Sequence, residues 1–331
     1  MTSPTLHPAA RRAWSSYWRG AEDADSQAVR GDEQSERLDA FWRERLGAAF
    51  AGRSHARLLD LACGTGIVTR IALDVGVHLP SLHLECHCTD YAPAALTGVR
   101  DTMGDQVAGL VVANARKLPL DSGGFDLVVS QYGLEYAGLE AFAEAARVTA
   151  PGGGFLALVH RSGGAIYEEC EGNLDVLRAI EKAALLPRFE ALFALVRKAD
   201  AGRAAPQAAR RRLDEYNRAA TDLGRTLKLS RPGAALEHAT RLLADLGQLF
   251  TRRAAYAGPD VERWIAGQKR DLADFRWRMQ TMLGAALGDP ELRQVRELML
   301  GQGLGSVTIG DLVLKDGDLP AAWILDARRP I

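Results

Sequence analysis

Short apolar runs alternate with helix-length amphipathic stretches through the first half of the chain. Runs at 58–62, 82–88, 107–112, 125–129 and 155–159 have strand length, and the segments between them have helical length. This alternation predicts βα units feeding a parallel sheet covered on both faces. Pro93 falls early in one intervening helix, where its missing N–H does no harm. Pro151, Gly152, Gly153 and Gly154 predict a loop just before the fifth strand.

On either side of this block the period changes. Trp14, Tyr17 and Trp18 stand at i, i+3 and i+4, and Leu38, Phe41, Trp42 and Leu46 repeat similar spacing, so 1–50 reads as helical, each stretch burying an aromatic-rich face. Between 165 and 300 strand signals fade. Leu213, Tyr216, Ala220, Leu223 and Leu227 recur at helical spacing, as do Leu236, Ala239, Leu243, Leu246 and Phe250, with Ser230 to Gly233 between them. That predicts an antiparallel helical hairpin with a coiled-coil-like seam. Leu272, Phe275, Met279 and Met282 form a third stripe. Runs at 307–314 and 321–327, around a turn at Lys315, Asp316, Gly317 and Asp318, predict two closing antiparallel strands. The chain therefore divides into an amino-terminal helical lid (1–50), an α/β core (51–164), a helical insertion (165–300) and closing strands (301–331).

Composition narrows the class. With 331 residues, 47% hydrophobic and 25% charged, the chain can bury a sizeable core, and 41 basic against 42 acidic residues leave a formal charge of −1. Nothing global points to nucleic acid or a membrane surface. No apolar run has the length of a membrane span, and the residues from Met1 to Arg19 lack the apolar stretch of a signal peptide, so the expected location is cytoplasmic. Cys63, Cys86, Cys88 and Cys170 are too few and too clustered for a disulfide framework and read as reduced thiols.

The sharpest local signal is the strand Leu58, Leu59, Asp60, Leu61 running into Ala62, Cys63, Gly64, Thr65 and Gly66, with a helix following. Glycines at 64 and 66 let a ligand approach the backbone, and the helix start presents free N–H groups. A dinucleotide fingerprint would need a third glycine at 69, where Thr69 stands. Asp60 followed by this loop resembles motif I of the class I S-adenosylmethionine-dependent methyltransferases, although Ala62 replaces the first glycine. Further segments continue the resemblance in register: Thr89-Asp90-Tyr91-Ala92-Pro93, then the stretch from Ala113 to Leu120, then Phe125 to Tyr132, then Pro151 to Phe155.

The resemblance implies a Rossmann-like α/β fold, with a mostly parallel seven-stranded sheet and an antiparallel last strand, binding S-adenosylmethionine and releasing S-adenosylhomocysteine. It implies cofactor contacts from Asp60, Ala62, Cys63, Gly64, Gly66, Asp90, Tyr91, Asn114, Ala115 and Gln131. Asp90 takes the place of the acidic residue that accepts both ribose hydroxyls, and Asn114 and Ala115 that of the pair reading the adenine edge.

In-line methyl transfer asks the protein to hold donor and acceptor close and, for a weak nucleophile, to remove a proton. Candidates lie after the fourth and fifth strands. His160 is the expected general base, because a reference pKa of about 6.5 leaves it neutral at physiological pH, and Tyr132 is the second catalytic candidate. Trp18, Glu135 and Tyr136 are expected on the acceptor. The residues after the fourth strand match neither the motif of amino-methylating DNA enzymes nor the glutamate pair of arginine methyltransferases, which favours oxygen or nitrogen of a small molecule. The insertion is expected to roof the acceptor or to serve as a homodimer surface. The competing readings are a non-catalytic S-adenosylmethionine-binding module and, disfavoured by Thr69, a nicotinamide oxidoreductase.

Three other clusters are discounted. His83, Glu85 and His87 share a strand face at about 6.6–6.8 Å spacing, too far apart for one strand to converge three ligands on a metal, so none is expected. The segment 188–231 carries eleven basic and five acidic residues, which on apolar-seamed helices reads as a solvated face. Cys63 has no paired base and reads as loop filler.

Overall fold

The computed structural model describes residues 8–20, 32–315 and 319–331. These form two compact units, one comprising the chain up to Tyr167 together with Thr281–Ile331, the other Glu168–Gln280.

In the first unit, helices α1 (Pro8–Gly20) and α2 (Asp32–Phe50) precede the strands β1 (His55–Leu61), β2 (His83–Asp90), β3 (Val107–Val112), β4 (Phe125–Gln131) and β5 (Thr149–His160). Between the strands lie α3 (Ile67–Val77), α4 (Pro93–Met103), α5 (Leu134–Ala137) and α6 (Glu140–Val148). After β5 come α7 (Ala165–Ala183), α8 (Leu185–Asp200), α9 (Pro206–Leu227), α10 (Ala234–Thr251), α11 (Gly258–Ala285) and α12 (Asp289–Gly301), then β6 (Ser306–Leu312) and β7 (Ala322–Arg328). The sheet order is β3-β2-β1-β4-β5-β7-β6. β1 to β5 pair in parallel, and β7 runs antiparallel to both β5 and β6. The seven-stranded, mostly parallel Rossmann-like sheet is thus as the sequence implies, with β7 the one reversed strand.

Alternation along the strands sends successive residues to opposite layers. Leu59 and Leu61 of β1 join Phe142 of α6 and Leu292, Val295 and Met299 of α12 in one core. Asp60 and Cys88, paired across β1 and β2, face the other way toward Thr69 of α3. There α2 packs on α3 through a row in which Leu38, Trp42, Leu46 and Phe50 are all buried.

Three expectations are corrected. The glycines at 152–154 lie inside β5 rather than in a loop before it, because the register with β4 shifts between Phe125 and Leu127 and the extra residues bulge within the strand. Residues 281–300, expected in the insertion, belong to the first unit, where the buried face of α12 completes the core. In the second unit α9 packs along α8, not along α10 as expected. Ala209, Tyr216 and Leu223 recur every seven residues on α9, and Tyr216 meets Phe189 of α8 edge-on at 5.6 Å. The start of α10 is tied instead to α7, where buried Asn173 accepts the Ala235 N–H at 2.9 Å.

Two of the basic side chains on α9 form exposed i,i+3 pairs, Arg212 with Glu215 and Arg225 with Asp222. The turn expected after Lys315 falls, from Asp316 to Asp318, outside the described residues. Among those described, no helix is long and apolar enough to cross a membrane.

Candidate active site

The strand order reverses direction between β1 and β4, so the loops leaving their carboxyl ends diverge and open a crevice. A cleft of about 640 Å³, its mouth included, lies there. Residues after β1 (Ala62), at the end of β2 (Thr89, Asp90, Tyr91), after β3 (113–115) and after β4 (Tyr132, Gly133, Tyr136, Ala137) line it, with Trp14 and Trp18 of α1. The wall is largely aromatic and apolar with one carboxylate, the usual make-up of a small-molecule site.

Backbone shape at the cleft is unusual. Ala62 and Tyr132 both adopt left-handed conformations, at φ 53° and 52°. Such conformations cost non-glycine residues about 1–2 kcal/mol and collect at functional sites. The β1 and β4 loops press together here: a Cβ added to Gly133 would stand 2.6 Å from the Ala62 Cβ and 2.9 Å from its carbonyl oxygen. Hydrogen bonds hold the bends, Cys63 N–H to Thr89 O at 3.0 Å and Tyr132 N–H to Leu158 O at 2.8 Å. The ring of Trp18 lies on the glycine turn, 2.5 Å from where a Gly64 Cβ would be. Gly66 is the left-handed N-cap of α3.

Asp90 closes β2 against this turn. Its Oδ2 accepts the Gly64 N–H at 3.0 Å and its Oδ1 the Ala92 N–H at 2.8 Å. Burial pushes its carboxyl up to about 6, against the stabilising N–H groups of Ala92, Gly64 and Tyr91. Asn114 lines the cleft and accepts the Arg116 N–H on Oδ1 at 3.0 Å. The guanidinium of Arg11 lies 5.7 Å from the Tyr91 ring centre.

Behind the wall sits a buried pair that spacing alone does not show. His160, at the end of β5, places Nδ1 2.6 Å from Glu135 Oε1, which also accepts the His160 backbone N–H at 3.0 Å. The His160 ring packs against Tyr132 at 4.7 Å and Tyr136 at 5.6 Å, both of which line the cleft. With Nδ1–H donated to the carboxylate, Nε2 is the nitrogen left to accept a proton.

Of the residues singled out from sequence, Ala62, Asp90, Tyr91, Asn114, Ala115, Tyr132, Tyr136 and Trp18 line the cleft. Others stand elsewhere. Asp60 is buried and receives both the N–H and the hydroxyl of Thr69 on Oδ2, at 3.2 and 2.8 Å; burial raises its carboxyl to about 7. It braces the turn instead of facing the cleft. Gln131 turns away to accept the Trp42 indole N–H at 2.5 Å. Cys63 donates to the Gly64 carbonyl, and burial pushes its thiol well above the ordinary value, so it is a poor nucleophile. Glu135, expected on the acceptor, holds His160 instead. Thr89, Ala113, Gly133 and Ala137 were not singled out. Each neighbours a residue that was, so the strand ends were the available signal.

A family profile described as a methyltransferase domain matches residues 59–157. The malonyl-[acyl-carrier protein] O-methyltransferase of Geobacter sulfurreducens is 37% identical over 149 residues, 44% of this chain and 51% of that protein. The ubiquinone/menaquinone biosynthesis C-methyltransferase UbiE of Methylobacterium nodulans is 37% identical over 137 residues, 39% of this chain and 53% of that protein. The chain spans about half the length of these curated relatives. A solved S-adenosylmethionine dependent methyltransferase from Mesorhizobium loti is 24% identical over 36% of this chain and 53% of its own, with a TM-score of 0.31, and adds nothing to the assignment. The stretch 59–157, whose strand ends build much of the cleft, is thus similar to a methyltransferase domain.

Proposed function

We propose that the protein transfers a methyl group from S-adenosylmethionine to an oxygen or nitrogen of a small-molecule acceptor, releasing S-adenosylhomocysteine. The observation that carries this reading is the Asp90 carboxylate, pinned against the glycine turn by two backbone amides at the rim of an aromatic cleft. The Gly64, Ala92 and Tyr91 N–H groups hold the carboxylate in place, and its remaining acceptor capacity at the cleft rim suits a ribose hydroxyl.

The other residues fit the same nucleoside. The Asn114 amide and the Ala115 N–H suit an adenine edge, and the faces of Trp18 and Tyr132 suit a cation. When bound, S-adenosylmethionine supplies an electrophilic methyl on a sulfonium sulfur. The chain's part is to hold, to exclude water and to take a proton. Trp14, Trp18 and Tyr136 wall off the cleft; His160, which packs on Tyr132 and Tyr136 behind that wall rather than lining it, is the group that takes the acceptor proton, with Glu135 holding its Nδ1. Kinship leaves the acceptor atom open, since the named relatives include an O- and a C-methyltransferase. The buried base pair favours a protic heteroatom.

The test is release of S-adenosylhomocysteine from the full chain incubated with S-adenosylmethionine and a panel of phenols, alcohols and amines. Wild type turns over at least one acceptor, and His160→Ala lowers that turnover ~10²-fold with cofactor affinity unchanged. Equal turnover in the two removes His160 as the base. No release with any acceptor class removes the reading.

A further inference from the structure

We propose that His55, His83 and Glu85 form a binding site for a divalent transition cation of the zinc class, at the amino-terminal edge of the sheet and apart from the cleft. His55 opens β1 and His83 opens β2, and the parallel register pairs them directly. Paired residues project to one face, so the two imidazoles stack with centres 5.5 Å apart. Glu85, two residues on, returns to that face. Its Oε1 lies 3.4 Å from His55 Nε2 and 3.6 Å from His83 Nε2, and one donor atom from each residue lies within 4.8 Å of the others.

These separations suit a metal. Around a tetrahedral ion with bonds of about 2.0–2.1 Å, neighbouring donor atoms stand roughly 3.3–3.4 Å apart. Two of the three edges are already near that length, and the third closes by rotation of side chains that are 48% and 73% exposed. One strand alone cannot converge three ligands; the neighbouring strand delivers the missing one.

The surroundings orient the carboxylate. Arg57 Nε lies 3.5 Å from Glu85 Oε2, while Nη1 of the same guanidinium donates to Gly124 O at 2.8 Å. The guanidinium also lies 5.0 Å from the Phe125 ring centre. Arg57 is therefore anchored, occupying Oε2 and leaving Oε1 toward the histidines. His87 continues the same face with its buried Nε2 4.0 Å from Oε2 and without a hydrogen-bond partner, so the donor set is not saturated by the protein. Two imidazoles with a carboxylate select zinc, nickel or copper over magnesium or calcium, which ask for oxygen ligands. β1 spans about 20 Å from this edge to the cleft, so such an ion ties two strand starts together without touching methyl transfer.

Zn²⁺ alone is the probe, titrated into the untagged full chain against a chromogenic chelator. One Zn²⁺ per chain is expected, with a dissociation constant of about 10 μM or tighter, weakened at least ~10-fold by His55→Ala and by His83→Ala. His78→Ala, exposed at the end of α3, leaves it unchanged. No stoichiometric uptake, uptake undiminished in the His55→Ala/His83→Ala double variant, or equal uptake of Mg²⁺ overturns the site. Because the readout is metal uptake, its failure leaves the methyltransferase reading untouched.

Discussion

Asp60 and Asp90 sit on neighbouring strands beneath the glycine turn, both buried, with carboxyls raised to about 7 and about 6. In the unfolded chain both return to about 3.9. Between that value and about 7 the folded chain therefore holds more protons than the unfolded one, and the stability the pair contributes is lost as pH rises through 6 to 7. Asp60→Asn keeps an oxygen for the Thr69 donors and removes the larger of the two effects. Its melting temperature is expected to vary less than wild type between pH 5 and 8 and to be higher by a few degrees at pH 8. Thermal melts across that range check it; a pH dependence as steep as wild type contradicts it. At the same scale Glu135 holds His160, and in the proposed function it acts through that histidine. Glu135→Gln is expected to lower kcat ~10-fold with KM little changed, a smaller loss than His160→Ala, and steady-state kinetics on an acceptor that the panel shows to be turned over separates the two. Residues such as Asp90 and Asn114 were legible because the resemblance places each at a strand end, Asp90 closing β2 and Asn114 standing two residues after β3, where a short segment carries its own register. The Glu135–His160 and Trp42–Gln131 bonds were not, since they join positions 25 and 89 residues apart and exist only after the sheet assembles.

Elements meet at the switch point with little slack. Gly133 has a negative φ, −138°, so it is not a left-handed position and its need is for space: a methyl group there collides with Ala62 on the opposite loop. Gly133→Ala is expected to cost about 1–3 kcal/mol, as overpacking does, and to lower the melting temperature by several degrees. An unchanged melting temperature would show that the two loops do not press together. Ala62 is the other half of this contact. The sequence shows a non-glycine where motif I has glycine, and the left-handed φ of 53° shows that the position still asks for a glycine-like backbone. The five parallel strands and the closing pair were readable because buried strands are short apolar runs. The length of β5 was not, because a glycine run inside a bulged strand has the same composition as a loop. The partner of α9 was not readable either. Its seven-residue seam says that it pairs, and only the assembled unit says that the pair is α8.

At the scale of the molecule, the family profile covers 59–157, and the rest of the described chain adds α1 and α2, a helical unit of its own and the strands that close the sheet. Everything assigned to the cleft lies within the first unit. In the proposed function a nucleoside bearing a sulfonium lies over the glycine turn with its ribose on Asp90. Calorimetric titration of the full chain with S-adenosylmethionine, in wild type and in Asp90→Ala, tests that most directly. The account predicts one site per chain, an affinity at least ~10-fold weaker in the variant for loss of hydrogen bonds to a charged acceptor, and no heat with NAD. Absence of binding in wild type, or equal affinity in Asp90→Ala, would contradict it.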